Sequence, residues 1–114
     1  MFGPNIHRNT AASKAAVDAK VGPGELYGFL IINPNVGAVY LKIYDSLAAN
    51  VAPASSVPVM TFIIPGGPGW LSQDAVVQGQ VNCKNGISYR ISTGVADTDD
   101  TAPASACLAQ IFYV

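Results

Sequence analysis

Apolar and polar positions alternate with a period of two along most of the chain, most clearly from Glu25 to Asp45, ELYGFLIINPNVGAVYLKIYD. In its first half Leu26, Gly28, Leu30 and Ile32 share one face and Tyr27, Phe29 and Ile31 the other. In its second half Val39, Leu41 and Ile43 oppose Tyr40, Lys42 and Tyr44. Such alternation, rich in β-branched and aromatic residues, predicts two strands. Between them Asn33-Pro34-Asn35-Val36-Gly37 holds the residues that turns select, so the pair reads as a hairpin. A hairpin with one apolar face needs a second sheet to cover it.

The rest of the chain supplies that sheet. Lys14–Val21 alternates Ala15, Val17, Ala19 and Val21 and closes on Gly22-Pro23-Gly24, which predicts a short strand and a turn. Val57–Ile64 is a strand whose Pro58 belongs at its start or on a sheet edge. Pro65-Gly66-Gly67-Pro68-Gly69 is a corner, and Trp70–Asn82 holds one long or two short strands. Asn85-Gly86 marks a tight turn. Gly86–Thr93 then sets Ile87, Tyr89 and Ile91 against Ser88, Arg90 and Ser92, a strand with one core face and one wet face. Gly94–Ser105 is an acidic loop, and Ala106–Val114 a final strand tied into a sheet. Residues 1–13 are polar and hold Gly3, Pro4 and Asn5, which predicts an extended N-terminal arm, either a frayed terminus or one that orders on a neighbouring subunit. Residues 14–114 form a single domain. Seven to eight short strands with frequent turns predict an all-β fold, an antiparallel two-sheet β-sandwich of jelly-roll or immunoglobulin-like type.

Composition adds an expectation about assembly. Half of the 114 residues are hydrophobic and 11% are charged, against about 25% in average soluble domains. A surface this poor in charge is expected to be partly hidden in an oligomer, or else covered with Ser, Thr, Asn and Gly. A net charge of -1 without a Lys/Arg cluster argues against nucleic-acid binding. No run approaches the roughly 18 apolar residues of a membrane helix, and the N-terminus lacks a secretory h-region. Cys83 and Cys107, with no CxxC, read as two small buried thiols rather than a bridge, a zinc site or a redox site.

Candidate chemistry is sparse. His7, the one histidine, has no sequence neighbours suited to a triad or a metal site. Asp97, Asp99 and Asp100 are weak candidates for calcium. Counted from Asp97, the sixth and twelfth positions are Ala102 and Leu108, where an EF-hand loop needs Gly and Glu, so a solvated turn capped by Asp side chains is the favoured reading. The glycines of the 65–69 corner lack the Lys-Ser/Thr ending of a phosphate loop. Trp70 and the tyrosines suit either a sugar platform or core packing. Arg90 is expected to pair with Asp45 or with an acidic residue of a neighbour. No catalytic, metal or cofactor constellation assembles, and the chain reads as no enzyme.

One resemblance gives these pieces a context. Tyr27-Gly28-Phe29 with Ile32-Asn33, Tyr40-x-Lys42-x-Tyr44-Asp45, Pro58-Val59-x-Thr61, Ile64-Pro65-x-Gly67, Gly86-Ile87-Ser88 leading to Thr93-Gly94, Ala96-Asp97-x-Asp99 and Thr101-Ala102-Pro103 follow one another in that order. Over residues 26–114 the chain thereby resembles small β-sandwich structural proteins of tailed bacteriophages. The resemblance implies a non-enzymatic virion component assembled in the host bacterial cytoplasm. It implies in particular a capsid decoration or cement protein, a homotrimer that clamps major capsid protein subunits. The candidate interface residues are Phe2, Ile6, His7 and Arg8 of the arm, with Trp70 and Arg90. The alternatives are a neck, tail or fibre component of the virion and a carbohydrate-binding sandwich.

Overall fold

The computed structural model describes residues 5–67 and 71–114, with residues 71–80 described by their backbone. Eight strands follow in order: β1 (Asn5–Ala12), β2 (Val17–Val21), β3 (Gly24–Asn33), β4 (Val39–Asp45), β5 (Met60–Ile64), β6 (Leu71–Cys83), β7 (Gly86–Ser92) and β8 (Cys107–Tyr113). A short 3-10 turn, Ala48–Asn50, lies in the β4–β5 loop. Two four-stranded antiparallel sheets form, ordered β1-β8-β3-β6 and β2-β7-β4-β5. Every connection except β4–β5 passes from one sheet to the other. That order is the double Greek key of a jelly roll, and it settles the choice against the immunoglobulin-like arrangement.

The expected Glu25–Asp45 hairpin is thereby corrected. β3 and β4 are the two strands predicted, but they lie in opposite sheets and the turn bridges the sandwich. Asn33 explains why the chain turns away. Fully buried, its Nδ2 donates to the carbonyls of Gly37 (3.1 Å), Pro65 (3.2 Å) and Ile64 (3.4 Å). Its Oδ1 accepts from the backbone and side-chain nitrogens of Asn35. One side chain therefore ties the β3–β4 turn to the chain at Ile64 and Pro65. Gly66 packs so closely on Val36 and Gly37 that a Cβ there would collide with their backbone.

The core between the sheets follows the alternation, with one phase change. Val39, Leu41 and Ile43 of β4, and Ile87, Tyr89 and Ile91 of β7, point inward as predicted. In β3 a bulge between Leu26 and Gly28 shifts the register against both neighbours. Leu26 is inward before it and Phe29 and Ile31 after it, so the two faces read from strict alternation are mixed. Phe29 meets Phe62 of the opposite sheet, ring centroids 4.7 Å apart. Each such buried side chain contributes roughly 1.5–3 kcal/mol.

Of the expected arm, residues 5–12 are extended but belong to the sandwich. Residues 5–12 are β1, an edge strand paired antiparallel with β8 from Asn5↔Tyr113 to Ala12↔Cys107. Its polar sequence suits an edge strand with one face in solvent.

Candidate interaction surface and the buried cations beneath it

The second sheet holds the main departure from the sequence reading. Lys42 and Arg90 face each other across β4 and β7 on the side away from the core, and both are fully buried. The expected wet face is roofed by the acidic loop. Arg90 donates from Nε to the Tyr44 hydroxyl (2.9 Å), from one terminal nitrogen to the Asp97 carbonyl (3.1 Å) and from the other to the Asp100 carboxylate (3.4 Å). Lys42 Nζ donates to the carbonyls of Ala96 (2.5 Å) and Asp99 (3.4 Å). Burial, then the neighbouring Arg90 guanidinium, holds the Lys42 ammonium below its ordinary pKa. Arg90 therefore pairs with Asp100 rather than Asp45, and its burial removes it from the candidate interface residues.

The carboxylates of Asp99 and Asp100 bond within the loop and to the cations beside it, and Asp97 contributes its backbone carbonyl. Asp99 accepts from the backbone nitrogens of Gly94 and Thr101 and from the Thr101 hydroxyl. These bonds, working against desolvation, leave its carboxyl below the usual range. Asp100 pairs with Arg90 and with Lys14 (3.6 Å). Among the described residues no group of three or more histidines, cysteines or carboxylates is placed to hold a metal ion. Asp45 accepts from the Lys84 and Asn85 backbone nitrogens and so caps the β6–β7 turn.

His7 points inward from β1, and its Nε2 lies 2.8 Å from the Tyr89 hydroxyl of the opposite sheet. Burial lowers its pKa from 6.5, with the Asp18 carboxylate opposing. It links the two sheets. Ile6 and Arg8, on the other side of β1, are exposed. Phe2 and Trp70 lie outside the described residues. The described aromatic side chains are buried or partly buried, with Tyr27, Tyr40 and Tyr113 among the partly buried ones. Cys83 and Cys107 are free and buried, and burial pushes each thiol up to about 11.

Among the described residues, open clefts of about 390, 280 and 460 Å³ accompany the loops, and the one of 460 Å³ is lined by Asn35, Val36, Gly37, Ala38, Val39, Thr93 and Ala104. The exposed apolar residues include Ile6, Val36, Val95 and, at the β5 edge, Val57, Val59 and Ile63. Sequence reasoning missed Lys42 and Asn33 as organising residues. The available signal was a lysine and an asparagine at positions of otherwise apolar strands. No protein-family model, curated protein or solved structure matches the chain.

Proposed function

We propose that the protein is a non-enzymatic structural component of a tailed-phage virion, a decoration protein that associates with copies of itself and with major capsid protein. The observation that carries this reading is the exposed set Ile6, Val57, Val59 and Ile63, 49–71% accessible, on a chain with little charge. Apolar side chains left in water at sheet edges favour a surface that is covered in an assembly. The buried Lys42 and Arg90 support it from another side. They bond loop carbonyls, Tyr44 and Asp100, and line none of the three clefts described above. Jelly rolls also occur in lectins, so the fold by itself does not choose. The arm mechanism takes a different form, because residues 5–12 belong to the sandwich. The capsid-facing contribution of β1 is its outer row, Ile6 and Arg8.

The test is co-sedimentation of the purified chain with expanded heads, unexpanded heads and tails of the virus that encodes it. Retention on expanded heads, lost in an Ile6→Asp/Arg8→Glu variant of unchanged thermal midpoint, is the expected result. Retention on tails alone would replace the decoration role by a tail or neck role. Binding to none of these particles would refute the virion reading.

A further inference from the structure

The two sheets present four edge strands, and they differ in how they are guarded. β1 carries Arg8, β2 carries Asp18 and Lys20, and β6 carries Asp74. β5, Met-Thr-Phe-Ile-Ile, carries no charge, and no charged residue occurs from Ser46 to Gln73. Charged side chains are the usual device by which edge strands resist pairing with other chains. β5 pairs with β4 alone, so one row of its backbone N–H and C=O groups faces away from the sheet. Its outward side chains include Ile63, 57% accessible, and Val59 precedes it at 49%.

We infer that β5 pairs antiparallel with β5 of a second copy of this chain, about a two-fold axis at Phe62. Pro58 and Pro65 bracket the strand and cannot donate to a ladder, which limits pairing to residues 59–64, and centring the five strand residues Met60–Ile64 on their middle residue gives the register. Met60 then stands opposite the partner copy's Ile64, Thr61 opposite Ile63, and Phe62 opposite itself. Every cross-strand pair is uncharged, so the two-fold operation brings no like charges together. The inner row, Phe62 and Ile64, continues the core side of the sheet, and the outer row, Thr61 and Ile63, continues its outer side. Two four-stranded sheets become one of eight strands, ordered β2-β7-β4-β5-β5-β4-β7-β2. A second copy is the favoured occupant because the edge matches itself in length, register and neutrality. This contact deepens the self-association in the proposed role, since it uses Val59 and Ile63 of the same exposed set, but it requires no capsid and is tested on the free chain.

The register makes the contact testable by charge placement. Light scattering on the full chain should give a mass of twice 11.8 kDa, or an even multiple of it. Ile63→Lys, at an accessible position, should halve that mass while leaving the far-ultraviolet circular dichroism unchanged. T61E/I63K sets a glutamate opposite the partner copy's lysine twice and should restore the larger mass, with a salt sensitivity the parent lacks. A monomeric parent at several hundred micromolar, a simple trimer, or an oligomer indifferent to Ile63→Lys would each overturn the two-fold contact. Failure of T61E/I63K to reassociate, with its fold intact, would overturn the Phe62-centred register.

Discussion

Replacing Arg90 by Met removes the guanidinium while keeping its bulk, and the consequence follows from the atoms it leaves behind. The Asp100 carboxylate is 45% accessible, so water takes over that end, and the ion pair contributes no more than about 1 kcal/mol. The Tyr44 hydroxyl and the Asp97 carbonyl each lose a charged donor where the fully buried guanidinium stood. A buried polar group left unsatisfied costs about 1–3 kcal/mol, so Arg90→Met should destabilise by about 3–4 kcal/mol. Lys42→Met strips donors from the Ala96 and Asp99 carbonyls but also relieves the burial and the Arg90 repulsion that disfavour the ammonium. Its net cost should be smaller, about 1–2 kcal/mol. Urea unfolding followed by far-ultraviolet circular dichroism measures both. At roughly 4 °C per kcal/mol the thermal midpoints should fall by about 12–16 °C and 4–8 °C. Hydrogen exchange should rise at the amides of residues 94–100 in each variant, because both cations hold that loop. A cost below about 1 kcal/mol for Arg90→Met, or a larger cost for Lys42→Met than for Arg90→Met, would refute this account of the roof.

Other outcomes follow from the same geometry. The His7 pKa is lowered, so protonation favours the open chain; stability should be full above pH 6.5 and fall as the pH drops below it, and His7→Gln should flatten the curve in that window. Asn33→Ala leaves three carbonyls without their donor and should destabilise by about 3 kcal/mol or more in urea unfolding. With thiols raised to about 11 and buried, the native chain at pH 8 should react with a thiol reagent far more slowly than the chain in denaturant, where both cysteines titrate. Millimolar calcium should leave the thermal midpoint unchanged, because Asp99 and Asp100 already hold backbone amides and cations.

How much of this was legible beforehand depends on the range of the interaction. Alternation within a strand is local, and it located β4 and β7, their inward residues Val39, Leu41, Ile43, Ile87, Tyr89 and Ile91, and the two-sheet all-β class. The low charge and the turn residues are also properties of short stretches, and they pointed to a sandwich with a surplus of apolar surface. Sheet membership is not local. Whether Asn33–Gly37 closes a hairpin or crosses the sandwich depends on carbonyls of Ile64 and Pro65, some thirty residues away. The β3 bulge shifts the phase of an alternation that looks unbroken in sequence. Residues 5–12 read as an arm because their partner, β8, lies at the other end of the chain. A serine–arginine–serine face looks wet until a loop folds over it. The sequence alone therefore determined the all-β class, most of the strand segments and the inward rows of β4 and β7, because the hydrophobic period belongs to each strand by itself. Only the tertiary structure decided the strand order, the roofing of Lys42 and Arg90 and which edge is left unguarded, because those depend on contacts between residues far apart in the chain.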